Sequence, residues 1–264
     1  MEEFIYIYFC VLSVVFGAVF GSFCNVLIYR VPRGESIVKG GSHCTTCGQP
    51  IKFYDNIPVV SYLVLRGRCR HCKQKFTPRY FGVEVLCMLL WLGFALFEKR
   101  FGYIYSICCM GVSLCVVAVA FTDYETGYIP DRYNVVIAVF GVFLCVYGIF
   151  AETYISWQSR LWGLAFSVVF YGGAYAISRW GFKREGIGFG DVKFMAACGL
   201  FLGIKATFVA TLIATITASA VFVTLSVKRG EKKKEYPFAP FLGVGVGVAA
   251  FVGEIIANVY LAFF

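Results

Sequence analysis

Residues 194–227 read FMAACGLFLGIKATFVATLIATITASAVFVTLSV, an apolar run of 34 residues with one charged side chain, Lys205. A helix that crosses a bilayer needs about 20 apolar residues. The run is therefore too long for one membrane span, and its single charge marks a point of interruption. It predicts two spans joined by a tight turn near Gly203–Lys205.

Similar apolar runs occupy most of the remaining chain. The 264 residues are 59% hydrophobic and 15% charged, with a mean hydropathy of +0.76, which is too apolar for a soluble domain. Six more runs are long enough to be spans: Phe4–Tyr29, Tyr80–Phe97, Phe101–Phe121, Asn134–Ala151, Leu161–Ser178 and Pro237–Phe264. The first is too long and uniformly apolar for a cleavable signal. The sequence predicts an all-α polytopic membrane protein with about eight transmembrane helices.

The placement of basic residues indicates how these spans are oriented. Arg30–Arg79 has ten Lys/Arg and two acids, Arg179–Lys193 has four and two, and Lys228–Lys234 has five and one. Alternating spans place all three segments on one side, together with Thr122–Tyr133. The positive-inside rule makes that side cytoplasmic and both termini external. This topology, with attraction to anionic lipid, accounts for the basic loops, so no nucleic-acid partner is expected.

Cysteine spacing in the first cytoplasmic loop is typical of a metal site. Eight of the twelve cysteines lie in apolar runs, where cysteine acts as a small hydrophobic residue. The other four form two C-x-x-C knuckles 21 residues apart, Cys44/Cys47 and Cys69/Cys72. Four thiolates make a closed tetrahedral zinc site that is structural rather than catalytic, and binding would fold this zinc-ribbon-like loop. A redox-active dithiol is the alternative.

The distribution of histidine narrows the possible chemistry. The two histidines, His43 and His71, lie beside Cys44 and Cys72, where they either replace a cysteine ligand or contact the site from outside. No histidine remains for Ser-His-Asp or Cys-His catalysis, or for an H-E-x-x-H metalloprotease. A hydrolase of this composition depends on carboxylates or lysine.

Two aspartates are placed for carboxylate chemistry. Asp123 and Asp191 lie at the same predicted membrane face, on different helices, although 68 positions separate them. Two close carboxylates share one proton, so the ionised partner takes a proton from water while the protonated one polarises a peptide carbonyl. The alternative is a structural role for each, as helix N-cap for Asp191 and as interfacial charge for Asp123.

The remaining acids near the membrane have other interpretations. Asp131 precedes an apolar run and is a good helix N-cap. Glu84 and Glu254 lie inside apolar runs, where a charge costs about 2.5–3.5 kcal/mol, so each is a candidate functional group. Glu84 alternatively reaches back to a basic residue such as Arg79. Glu185 lies on the same predicted face as the aspartate pair.

Six motifs follow one another along most of the chain. They are GSFCNVLIYRVP at 21–32, the paired knuckles, RY followed by Glu84 at 79–84, Asp123 with IPD at 129–131, GFGDVK at 188–193, and PFAPF at 237–241. In this order they resemble the type IV prepilin leader peptidase family, which consists of bifunctional membrane aspartyl proteases with a G-x-G-D signature. One G-x-G-D alone is weak evidence, whereas six ordered segments are specific.

The resemblance implies roles for individual residues. It makes Asp123 and Asp191 the catalytic dyad and leaves Asp131 as a cap or support. It assigns metal binding to the four cysteines Cys44, Cys47, Cys69 and Cys72. The chain departs from the family pattern at Ala239, where glycine is usual, and at Cys24, where an aliphatic residue is usual.

The resemblance also implies substrates, a cofactor and a location. Such enzymes remove a short basic leader after a glycine from type IV prepilins and pseudopilins, at the cytoplasmic face of the bacterial inner membrane. They then methylate the new N-terminal residue with S-adenosylmethionine as methyl donor. No glycine-rich nucleotide loop of the soluble methyltransferase type occurs in the sequence, and Glu84 is the candidate for binding this cofactor.

These inferences divide the chain into a first transmembrane helix (1–29), a cytoplasmic four-cysteine zinc-binding loop domain (30–79) and a transmembrane aspartyl peptidase domain (80–264). Two alternatives belong to other functional classes. A transporter would use Asp123, Asp191 and Glu254 as relays, but it predicts mid-membrane acids and an inverted repeat. A zinc-ribbon membrane adaptor without enzymatic activity would need only the cysteines.

Overall fold

The computed structural model is built from α-helices and describes residues 1–44, 46–181, 186–229 and 236–263, with only the backbone at 226–229. The helices are α1 (Glu2–Arg30), α2 (Val60–Val64), α3 (Arg79–Leu96), α4 (Glu98–Phe101), α5 (Tyr103–Thr126), α6 (Asp131–Phe150), α7 (Trp157–Ala176), α8 (Phe189–Arg229) and α9 (Ala239–Leu261). Glu185 and most of the basic segment Lys228–Lys234 lie outside the described residues.

Seven helices within the described residues are long and apolar enough to cross a membrane. They are α1, α3, α5, α6, α7, α8 and α9, and each coincides with a predicted apolar run to within a few residues. The all-α polytopic fold class is therefore confirmed.

The longest helix, α8, reverses direction at Gly203. This glycine has φ 77° and ψ 167°, which is not helical. The α7 helix contacts both arms near its C-terminal end, where the Tyr175 ring lies 5.6 Å from the Phe189 ring and the Tyr171 hydroxyl is 3.2 Å from that of Thr211. Gly203 instead lies against Ser159, at the start of α7. The two arms, 189–202 and 204–229, therefore form a hairpin, whereas α8 as a whole counts as one of the seven candidate spans in the described residues.

The chain forms two compact units, Met1–Ala118 and Val119–Phe264, and α5 contributes to both. In the first unit α1 and α3 are antiparallel neighbours. The Asn25 side chain donates to the Tyr80 carbonyl at 3.0 Å near one end of the pair. The long loop between the two helices, with α2 inside it, is consequently held at that end.

In the second unit α8 packs against α6, α7 and α9 through very small residues. A Cβ on Gly163 of α7 would collide with the Gly199 carbonyl, and a Cβ on Gly245 of α9 would collide with the Ala210 carbonyl. Such close approach maximises van der Waals contact, which is the main attraction between helices when lipid surrounds them. The backbone that carries the candidate site is therefore firmly packed.

Candidate functional site

Asp123 lies in the last turn of α5, rather than in the loop after it. The helix continues past its apolar run to Thr126 and ends at Gly127, which has φ 66° and donates its amide to the Asp123 carbonyl at 2.8 Å. A left-handed glycine directly after a helix is a common terminator. The Asp123 side chain thus projects from regular helix, and the residue is only 8% exposed.

Asp191 is the third residue of α8, so it does not occupy the N-cap position. Its Oδ2 accepts a hydrogen bond of 3.2 Å from the Gly188 amide, three residues earlier. The residue is 7% exposed, and Oδ1 has no hydrogen-bond partner in the described part of the chain. The glycine-rich segment before α8 therefore folds back onto the carboxylate and secures one of its two oxygens.

The two aspartates lie at one end of the second unit, where a Cβ on Gly190 would be 3.2 Å from the Ile129 side chain. The Asp123 carboxylate is close enough to act electrostatically on that of Asp191. Asp123 Oδ2 accepts a hydrogen bond of 3.1 Å from the backbone amide of Ala239, at the start of α9. Each carboxylate thus has one oxygen bound to a backbone amide, and neither forms an ion pair within the described residues.

Asp131 and Lys193 form an ion pair at the same end of the unit. The Lys193 ammonium lies 2.9 Å from both carboxylate oxygens of Asp131. Asp131 is the first residue of α6, and the N-cap position is taken by Pro130. The Asp131 side chain makes no capping hydrogen bond and instead joins α6 to α8 through this ion pair.

Glu254 and Glu84 do not join the aspartate pair. Glu254 lies 4.0 Å from Lys205, just after the Gly203 turn and at the opposite end of the second unit. Glu84 belongs to the first unit, where its Oε2 accepts a hydrogen bond of 2.8 Å from the Val59 amide. It forms no ion pair with a described residue, so the predicted contact with Arg79 is not observed.

The four knuckle cysteines converge in the first unit. The Sγ atoms of Cys44, Cys47, Cys69 and Cys72 all lie within 4.8 Å of one another. The Cys44 and Cys72 sulfurs are 3.8 Å apart. Ligands about 2.3 Å from a tetrahedral zinc ion are separated by about 3.8 Å, so the cluster fits zinc.

The two knuckles have the same backbone. Cys44 and Cys69 each donate an amide to the carbonyl five residues later, that of Gln49 or Gln74, at 2.9 Å. The fourth residue after each cysteine, Gly48 or Lys73, has a positive φ near 65°. This repeat turns the cysteine pairs toward one point.

The electrostatics of the cysteine cluster favour a thiolate at Cys44, whereas the backbone hydrogen bond from Gln74 is outweighed at Cys72 by burial and the neighbouring sulfurs, which raise its pKa to about 11. Hydrogen bonds from the backbone amides of Cys47 and Thr46 lower the pKa of the Cys44 thiol to about 6. Thiolate is the form that binds metal. Four sulfur donors of this kind could hold one metal ion and leave no coordination position open.

Comparisons with known proteins identify the family. Residues 15–97 match the bacterial peptidase A24 N-terminal domain, and residues 109–223 match the type IV leader peptidase family. A relative from Burkholderia pseudomallei (strain K96243) is 30% identical over 91% of this chain and 84% of its own length. Relatives from Pseudomonas putida and Neisseria gonorrhoeae are also 30% identical, over 94% and 88% of this chain and 92% and 87% of their own lengths. All three are named prepilin leader peptidase/N-methyltransferase, and no solved structure matches the chain.

The fold and the family matches define a polytopic membrane peptidase. The chain belongs to the type IV leader peptidase family. Membership supports the peptidase interpretation and neither the transporter nor the adaptor alternative. It also places the protein in the bacterial inner membrane as a multi-pass protein.

Sequence reasoning missed the backbone donors at this site. The PFAPF motif was recognisable, but the role of the Ala239 amide depends on a contact across 116 positions. Ala239 is fully buried, and its methyl group is the only change from the glycine of the family pattern. A backbone amide serves equally in either residue, which explains why this departure is compatible with the site.

Proposed function

We propose that this protein is an aspartyl endopeptidase that removes the leader from type IV prepilins and pseudopilins and methylates the new N-terminus. The observation that carries the proposal is the pairing of Asp123 and Asp191, both nearly buried, at one end of the second unit. Cleavage occurs after a glycine at the cytoplasmic face, with both termini of the enzyme external. The basic loops support that orientation through the positive-inside rule.

The hydrogen bonds of the dyad suggest which of its four carboxylate oxygens are held by the backbone and which contact water and substrate. The Ala239 amide donates to one oxygen of Asp123, and the Gly188 amide donates to one oxygen of Asp191. These two hydrogen bonds orient the carboxylates. The two other oxygens are left for water and substrate. Two close carboxylates retain one proton between them. The ionised one takes a proton from the attacking water, and the protonated one donates a hydrogen bond to the scissile carbonyl.

The position of the site suits a substrate that is half in lipid. A prepilin has a basic leader followed by an apolar helix, which the bilayer can hold beside the enzyme. The scissile junction then lies at headgroup level. In the proposed orientation, Asp123 at the end of α5 and Asp191 at the start of α8 lie at the matching depth.

Two further groups belong to the proposed enzyme. Zinc, held by Cys44, Cys47, Cys69 and Cys72, stabilises the loop between α1 and α3. S-adenosylmethionine, when bound, would supply the methyl group for the new N–C bond, and S-adenosylhomocysteine and one proton from the amine would be released. The names of the relatives support the methyltransferase activity.

Co-expression with a prepilin tests the two activities together. Leader removal appears as a shift in mass of the pilin, and mass spectrometry of the mature N-terminus detects an added methyl group. A wild-type chain that leaves the prepilin intact in a cell lacking its own leader peptidase would contradict the proposed peptidase. Intact cleavage with an unmodified N-terminus would contradict only the methyltransferase.

Gly188→Ala should reduce leader removal by roughly tenfold to a hundredfold. The new Cβ would lie 3.3 Å from Asp191 Oδ2, and a small displacement of a reacting group is costly. Initial rates of cleavage in detergent measure the effect. Gly172→Ala is the matched control, because a Cβ there meets nothing within 4 Å. Equal rates in the two variants would contradict the proposed importance of the Gly188 contact.

Asp131→Asn should reduce leader removal by less than about fivefold. Asp131 and Lys193 are 60% and 40% exposed, and an exposed ion pair contributes little stability. The same cleavage assay checks this. A loss as large as that of a dyad variant would mean that Asp131, rather than Asp123 or Asp191, belongs to the reacting pair.

A further inference from the structure

Tyr171 is a buried tyrosine in α7 that the proposed mechanism does not yet use. The residue is 2% exposed and belongs to the buried stripe of its helix, together with Gly163 and Ser167. A Cβ on Gly199 of α8 would collide with the Ser167 side chain, so this stripe faces α8. A tyrosine buried in this way usually finds a hydrogen-bond partner for its hydroxyl within the protein.

The Tyr171 hydroxyl donates its proton to the second arm of α8. Its oxygen lies 3.2 Å from Thr211 Oγ1. Thr211 donates its own proton to the Thr207 carbonyl at 2.9 Å, and a carbonyl only accepts. The Thr211 oxygen is therefore the acceptor for the Tyr171 proton. The phenol oxygen keeps its own capacity to accept, directed away from that arm.

The first arm of α8 brings Asp191 near the same hydroxyl. The ring of Tyr175, one turn nearer the end of α7, lies 5.6 Å from that of Phe189, two residues before Asp191. Tyr171 lies one turn deeper, and the Asp191 carboxylate is close enough to act electrostatically on its hydroxyl. Asp191 is 7% exposed, and its Oδ1 has no hydrogen-bond partner in the described part of the chain, whereas Oδ2 accepts from the Gly188 amide.

Two buried acceptors on neighbouring helices require a donor between them. An ionised carboxylate oxygen only accepts, and a phenol oxygen whose proton is used elsewhere also only accepts. One water molecule donates two hydrogen bonds and satisfies both, as buried waters commonly do. We propose that Tyr171 is a positioning residue of the peptidase site, which holds Asp191 Oδ1 in place through one such water.

This assignment rests on the proposed peptidase function and adds a residue to it. The Gly188 amide fixes Oδ2 of Asp191, and Tyr171 fixes Oδ1, so the whole carboxylate is held in one orientation. A displacement of a reacting group by about 1 Å costs up to about a hundredfold in rate. The Tyr171 hydroxyl lies beneath the carboxylate and does not contact the substrate, so substrate binding should not depend on it.

Steady-state kinetics of leader removal by the full-length chain, with a purified prepilin in detergent, test the assignment. We expect Tyr171→Phe to lower kcat at least about tenfold and to leave KM within about twofold. The aromatic ring still fills its place against α8, so the melting temperature should change little. Tyr175→Phe is the matched control on the same helix. The Tyr175 hydroxyl accepts from Arg179 at 2.8 Å at an exposed position, so kcat should fall less than about twofold.

Thr211→Val makes the result specific to these hydrogen bonds. Valine cannot accept the phenol proton, so the hydroxyl is free to turn and kcat should fall by roughly the same factor. The double variant Tyr171→Phe/Thr211→Val should lose no more than Tyr171→Phe alone, because both substitutions act through one hydroxyl.

Three results would overturn the assignment while the wild-type chain is active. They are a kcat for Tyr171→Phe equal to that of Tyr175→Phe, a loss confined to KM, and losses that multiply in the double variant. A wild-type chain that removes no leader would instead overturn the proposed peptidase function, and this assignment with it.

Discussion

Replacing either aspartate of the dyad by asparagine is expected to lower leader removal at least about a thousandfold. An amide neither accepts the proton of the attacking water nor shares a proton with its neighbour, so the general acid–base contribution is lost. The double variant Asp123→Asn/Asp191→Asn should be no worse than either single variant, because the two groups act as a unit. Rates of leader removal from a purified prepilin measure all three.

The controls for this experiment separate chemistry from folding. Asparagine Oδ1 still accepts from the amides of Ala239 and Gly188, so the melting temperature should change little. Asp131→Asn, at an exposed position on the same end of the unit, serves as the matched substitution. Cleavage that survives in both single dyad variants at the rate of Asp131→Asn would disprove the dyad.

Loss of the metal is the second prediction with a large effect. Structural zinc sites have apparent binding free energies of about 10–16 kcal/mol, so Cys44→Ser or strong chelation should unfold the loop between α1 and α3. Zinc content is expected to fall from one ion per chain to a small fraction of that. Limited proteolysis should then cut within residues 31–78. Elemental analysis and mass spectrometry of the fragments provide the two measurements.

The same loss should affect the aspartate pair less, because Asp123 and Asp191 belong to the second unit and the four cysteines to the first. Leader removal should consequently decline less than the zinc content does. Cys145→Ser is the control, because Cys145 lies in α6 outside the four-sulfur cluster. Unaltered zinc content in Cys44→Ser would contradict the zinc site.

Local patterns were sufficient for most of the fold. Each span is a continuous apolar run, so its existence follows from the length and composition of a short window. The hairpin in 194–227 was predictable for the same reason, because the run was too long for one crossing. The end of α5 was harder to predict from the sequence. The helix continues beyond the apolar run, so Asp123 is helical, and it ends only at the left-handed Gly127.

The candidate site was predictable in its residue types and less so in its contacts. Asp123, Asp191 and the four cysteines could be selected because few other acids, thiols or histidines were suitably placed. Asp131 shows the limit of such reasoning, because its position predicted a helix cap whereas its carboxylate pairs with Lys193, 62 positions away.

Hydropathy and residue type are local properties, so the sequence was enough to identify the membrane class, the apolar runs and the residues able to carry the chemistry. The tertiary structure alone decided which groups meet. It brought the Ala239 amide to Asp123, turned the Gly188 amide onto Asp191, and placed Glu84 beside Val59. These contacts join residues on separate elements or across a turn, and they form only when close helix packing holds the backbones together.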